Sequence, residues 1–288
     1  MESKWLLAWM NGEEAIPTLL GRAPVADEDT AKSRRVWHDS SAALMRRAPY
    51  RQPTPVLSKL PGKLTKQATK FRQRPDVIAD LDGQDYKVGM VDLRKVLSLQ
   101  KAVEENALQR AQQVIPNDLD SLFSFCLPEP GMGARVAGTL DKVNKAITLT
   151  SLNWNFRIGS PLIVDLDVSA GPGEAPRKEK HIGFTVGFGT PFIHVVECNG
   201  RWLLRDGHHR CYGLLQRSIH HIPCVFTKVH DFAEIGTVAP GSFPYEILFG
   251  DRPPFLTDFL DNSVAKTARR PAQQRIVHIA ASEFAVEI

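Results

Sequence analysis

The spacing of apolar positions changes along the chain. In "VDLRKVLSLQKAVEENALQRAQQVI", residues 91–115, Leu93, Val96, Leu97, Val103, Ala107, Ala111 and Val114 recur near helical intervals, with charges and amides between them. The run stops before Pro116 and Asn117, so it predicts one amphipathic helix. "DLDSLFSFCLP" predicts a shorter one, with Asp118 as N-cap, Pro128 past its end and Cys126 on the apolar face. Beyond Gly138 the period falls to two. "AITLTSLNWNFRI" and "PLIVDLDVSA" are rich in β-branched and aromatic residues, and Leu162, Val164, Leu166 and Val168 share one face of a strand. The "GSP" between them predicts a turn, and Gly171–Lys180 an exposed loop.

Further on, Phe184, Val186 and Phe188 alternate with Gly183, Thr185 and Gly187. Gly187 and Gly189 are not followed by a helical pattern, so they do not form a nucleotide-binding glycine fingerprint. Asn199-Gly200 predicts a two-residue hairpin joining "FIHVVEC" to "RWLLRD", with His194 as a core histidine in the first strand. That second strand ends at Asp206, Gly207 permits a sharp turn, and Tyr212, Leu215 and Ile219 then follow helical spacing up to a buried strand, "HIPCVFTKV". Near the C-terminus, "SFPYEILFGDRPPFLTDFLDN" predicts a segment wrapping the core, and "QRIVHIAASEFAV" one or two short strands.

Composition excludes disorder throughout, since 43% of the 288 residues are hydrophobic and 24% charged. No apolar run approaches the roughly 18 residues of a membrane-spanning helix, and the N-terminal apolar patch is too short for a signal peptide. A cytoplasmic protein without a membrane partner is the expectation. Four scattered cysteines fit reduced thiols. The net charge is only +4, but from Lys32 to Arg74 twelve Lys or Arg face a single acid, Asp39. Prolines at 49, 53, 55, 61 and 75 argue against one continuous packed helix through this basic arm. It reads as a solvated excursion or as an electrostatic footprint for nucleic acid.

The densest chemistry is "RDGHHR". Asp206, Gly207, His208, His209 and Arg210 lie where a strand gives way to a helix. A helix N-terminus favours a phosphate or carboxylate, and Arg210 in its first turn could clamp one with two hydrogen bonds. Asp206 could position a metal or take a proton, and His208 or His209 could carry one. A zinc set of His208, Cys211, His221 and Cys224 competes for the same residues; against it, both cysteines fall where the pattern wants apolar side chains. Plain capping by the two histidines is the third reading.

Hairpin, D-G-H-H-R turn, helix and I-P-C-V-F strand together resemble the nucleotide-binding core of the ParB and sulfiredoxin superfamily, over about 40 residues from Phe192 to Val229. The resemblance implies an α+β, ParB/sulfiredoxin-like mixed sheet with flanking helices. It divides the chain into an N-terminal extension (1–87), a core (88–230) and a C-terminal extension packed on it (231–288). It further implies a nucleotide (ATP, ADP or CTP), with Mg2+, or a phosphorylated small molecule, bound at Gly207 and Arg210. Catalytic roles would fall to Asp206, His208 and His209, as in a phosphotransferase or nucleotide hydrolase. Free-serine kinases of this fold are the nearest branch, through Asp206 and His209. His208 stands where sulfiredoxins carry their thiol, and His209 where partition proteins carry the arginine that contacts CTP, so neither activity transfers. The proline-dense segment after Val229 does not read as the helix-turn-helix that partition proteins carry. The alternative function is a non-enzymatic, nucleic-acid-associated protein that uses the arm.

Overall fold

The computed structural model describes residues 2–21, 27–129, 136–151, 156–168, 177–188, 192–235, 241–269 and 275–282. In chain order it begins with β1 (Glu2–Trp5), α1 (Gly12–Leu20), α2 (Asp27–Met45) and β2 (Leu57–Ser58). Next come α3 (Thr65–Arg72), α4 (Pro75–Asp80), β3 (Tyr86–Asp92), β4 (Leu97–Ser98), β5 (Ala102–Glu104), α5 (Ala107–Ala111) and α6 (Leu119–Cys126). The middle of the chain supplies β6 (Ala137–Asp141), β7 (Ala146–Ser151), β8 (Phe156–Val168) and β9 (Arg177–Phe188). The last third holds β10 (His194–Cys198), β11 (Arg201–Asp206), α7 (His208–Gln216), β12 (His221–Val229), α8 (Tyr245–Leu248), β13 (Lys266–Arg269) and β14 (Arg275–Ala280).

These elements fall into two compact units, residues 1–130 with 191–272, and residues 131–190 with 273–288. The larger unit therefore draws on all three segments that the resemblance delimited. Its main sheet has six strands in the order β2-β3-β12-β10-β11-β4, with β10 parallel to β12 and β11 parallel to β4. A second, antiparallel sheet runs β13-β1-β5. The protein is thus α+β with a mixed sheet.

The hairpin forms as its turn residues dictate, with Asn199 and Gly200 both left-handed at φ 48° and 77°. β12 is buried on both faces over Ile222–Val225, which is why "IPCV" reads as an unbroken apolar run. Around it, Phe71 meets Phe123 and Phe192 edge-on, tying α3 and α6 to the start of β10. α6 itself forms as expected: the Asp118 carboxylate accepts from the Asp120 and Ser121 amides at 2.9 and 3.2 Å.

The single helix expected over residues 91–115 does not form. Residues 93–95 make a 3-10 turn, Leu97–Ser98 pairs with β11, Ala102–Glu104 pairs with β1, and only Ala107–Ala111 is α-helical. Val96, Leu97, Leu99 and Val103 are all at most 1% exposed, buried by partners more than 90 residues away in sequence. Non-local pairing thus overrides spacing that imitates a helical face. The basic arm departs in the other direction: its first part is continuous helix, α2, and the prolines begin only after it.

In the smaller unit, β14-β7-β6 form an antiparallel sheet and β8-β9 a long ribbon. β8 runs straight through the "GSP" expected as a turn, accommodating it as an irregularity between Ile158 and Pro161. β9 starts at Arg177, inside the expected loop, and residues 169–176 lie outside the described ones. Leu162 and Val164 are both exposed; the side chains of Leu166 and Val168, like Gly189 and residues 152–155, lie outside the description. Among the described residues, no helix is long and apolar enough to cross a membrane.

Candidate functional site at the Asp206 to Arg210 corner

Gly207 sets the corner. It caps α7 at φ 97°, in the left-handed region, and a Cβ there would lie 2.8 Å from Ile193 Cγ1. Only glycine meets both conditions, so the chain can reverse directly from β11 into the helix. α7 then lies close on α5, because a Cβ at Gly213 would fall 2.4 Å from the Ala107 carbonyl oxygen.

The two histidines turn toward the same neighbouring segment. His208 is 1% exposed, and its Nε2 accepts the Gln100 amide hydrogen at 3.3 Å. That bond places the proton of the neutral ring on Nδ1, which is buried without a hydrogen-bond partner among the described residues. Burial, reinforced by His209, pushes the His208 pKa down to about 3. It is therefore a neutral imidazole near pH 7 and no proton carrier there. His209 is half-buried; its Nδ1 accepts the Glu104 amide hydrogen at 2.9 Å, which leaves Nε2 as the protonated nitrogen of its neutral ring. Together the histidines staple the start of α7 to residues 100–104.

Arg210 turns elsewhere. Its Nη1 donates to the carbonyls of Phe125 and Cys126 at 2.9 and 3.3 Å, capping the C-terminus of α6. Burial lowers its pKa, partly offset by Cys126, Cys211 and Asp206. Seven residues on, Arg217 Nη1 makes the equivalent bonds to the Ala111 and Val114 carbonyls at the end of α5. Arg210 in α7 and Arg217 just past its end thus close two helix termini, and this Nη1 of Arg210 serves the chain's own carbonyls. Asp206 stays at the surface, its side chain 34% exposed with the Arg205 Nε 3.8 Å away.

The partners of this corner were invisible in the sequence: Gln100, Glu104, Phe125 and Cys126 lie 84 to 108 positions away and contribute only backbone groups. The residues of the zinc set have different surroundings. Cys211 and Cys224 are fully buried, and burial pushes the Cys211 thiol up to about 12. His221 is exposed, with Nε2 3.7 Å from Asp92 Oδ2. Among the described residues no group of three or more metal-ligating side chains gathers. His194 is the buried core histidine expected, its Nε2 2.9 Å from the Thr227 hydroxyl, and burial lowers its pKa to about 3.

What the corner offers chemically is the amino end of a helix, one half-exposed carboxylate, one half-buried imidazole with its Nε2 edge, and a desolvated guanidinium behind them. Compared with known proteins, the chain matches no family model, no curated protein and no solved structure.

Proposed function

We propose that the Asp206 to Arg210 corner binds a nucleotide or another phosphorylated small molecule, as the resemblance to ParB- and sulfiredoxin-like proteins implies. One observation carries this reading: α7 opens on a left-handed glycine, with its amino end flanked by the half-exposed Asp206 and His209 and backed by Arg210. The helix terminus and the guanidinium both favour an anion, and Asp206 is the carboxylate able to hold Mg2+ against phosphate oxygens. Any phosphoryl transfer or nucleotide hydrolysis would run through Asp206 and His209. His208, neutral and committed to the Gln100 amide, supports the corner and takes no part in the chemistry. A cytoplasmic setting accords with four buried, free cysteines.

Calorimetric titration with ATP, ADP and CTP, with and without Mg2+, tests the reading. Saturable binding of at least one, strengthened by Mg2+ and losing that increment in Asp206→Asn, is expected; no heat with any of them retires it.

A second reading rests on a separate observation. Ten of the twelve bases between Lys32 and Arg74 are exposed; the other two, Arg47 and Arg74, are the ones paired with acids. Lys32 and Arg35 lie one turn apart on α2 and Arg46 just past its end, while Lys63, Lys66 and Lys70 recur at helical intervals through α3 and the turn before it. As a nucleic-acid footprint this arm would bind duplex DNA or RNA with affinity falling steeply as salt rises. Replacing the six with glutamine should abolish that binding and leave nucleotide titration unchanged. Retention of binding by the substituted protein rejects this second reading.

A further inference from the structure

A second candidate site lies away from the corner. An open cavity of about 600 Å3 is formed by α1, α2, the turn at residues 8–10 and the segment around α8. Its volume falls in the range that holds a drug-sized molecule.

Three aromatic residues are among the lining, Trp9 and Phe243 nearly buried and Trp37 half-buried. Both indoles are held in place by their N–H groups, Trp9 Nε1 donating to the Arg252 carbonyl at 2.6 Å and Trp37 Nε1 to the Met10 carbonyl at 2.9 Å. Their polar edges are therefore spent on the chain, and what remains to offer a ligand is apolar surface, with Trp37 the more exposed of the two indoles. Protein cations already exploit ring faces here, with Arg47 5.5 Å from the Trp9 ring centre and Lys101 6.0 Å from that of Phe243.

Charge in the lining selects the ligand's sign. Three carboxylates, Glu14, Glu246 and Asp251, stand against two cations, Lys101 and Arg252. Lys101 is neutralised inside the set, its ammonium bonded to both Glu14 oxygens at 2.7 and 2.8 Å. Arg47, beside Trp9, is bridged by Asp258 and Asp261 at 2.7 and 2.6 Å. Glu246 and Asp251 are exposed, and neither side chain has an ion-pair partner among the described residues. An incoming anion would meet their repulsion; a single positive charge would balance the excess.

We propose that this cavity binds a monovalent organic cation with an apolar, aromatic body, the rings holding the body and Glu246 and Asp251 the charge.

The test compares three probes with one body and three charges, 2-(1-naphthyl)ethylamine, 2-(1-naphthyl)ethanol and 1-naphthylacetate, titrated calorimetrically into the full chain. The amine should bind at one site, at least tenfold more tightly than the carboxylate and more tightly than the alcohol. Glu246→Gln with Asp251→Asn, both at exposed positions that leave the core intact, should remove most of that preference. Asp206→Asn, at the other site, should leave it unchanged. Absence of binding by the amine, equal or tighter binding of the carboxylate, or an undiminished preference in the double variant overturns the proposal.

Discussion

His208 makes the stability of the larger unit depend on pH below neutrality. Its ring titrates near pH 6.5 in an unfolded chain and at about 3 in the fold. Between those values the unfolded state binds a proton that the native state refuses, so stability rises with pH and is lost as pH falls from about 6.5. At pH 5 the gap below the unfolded value is about 1.5 pH units, worth about 2 kcal/mol for this one residue. With the side chain 99% removed from solvent, screening offers no relief. Protonation would also turn the Nε2 acceptor into a donor facing the Gln100 amide. Other titrating groups are common to both proteins, so their contribution cancels when wild type is compared with a variant at position 208. His208→Gln isolates the effect, because a glutamine oxygen can reach the Nε2 position, keep the bond and not titrate. Urea unfolding followed by tryptophan fluorescence suits the measurement, as Trp5, Trp9, Trp37 and Trp202 all belong to the larger unit. Between pH 7.5 and 5.0 the wild type should lose about 2 kcal/mol more than His208→Gln. Equal losses would show that His208 is protonated in the native state or solvated, and the account of the corner as a buried staple would fail.

Three other outcomes follow from the same geometry. Gly207→Ala should cost at least about 1–3 kcal/mol, because the residue would be strained at φ 97° and its methyl group would press on Ile193; an unchanged thermal midpoint rejects the tight-corner argument. Arg210→Met should lower stability by about 1–3 kcal/mol without any ligand, through the stranded Phe125 carbonyl, while the Cys126 carbonyl keeps the Ile193 amide; a variant as stable as wild type would return the guanidinium to the role of a ligand clamp. Arg47→Met leaves Asp258 buried without its counter-charge, and chemical denaturation should register a loss of about 3 kcal/mol that Asp258→Asn in the same background partly restores.

The elements that sequence alone delivered are those whose cause is local. The Asn199-Gly200 hairpin, the Asp118 cap, the turn at Gly207 and the start of α7 depend on residues within a few positions of one another, so their signals are written side by side. The long helix expected from residue 91 onward is the counterexample. Its apolar spacing was real, but those side chains were buried by β1 and β11, and burial from both sides satisfies a strand as readily as a helix.

At the corner the division is sharper. The order of Asp206, Gly207, His208, His209 and Arg210 determined that five chemically capable residues would meet at a strand-to-helix junction. Tertiary structure decided what each would do. It brought the Gln100 and Glu104 amides to the two imidazoles and the end of α6 to the guanidinium, leaving Asp206 at the surface. A backbone amide or carbonyl needing a partner belongs to every residue alike, so no side-chain pattern marks which ones will call on a histidine or an arginine. Only the folded chain, by excluding water from those groups, makes the demand.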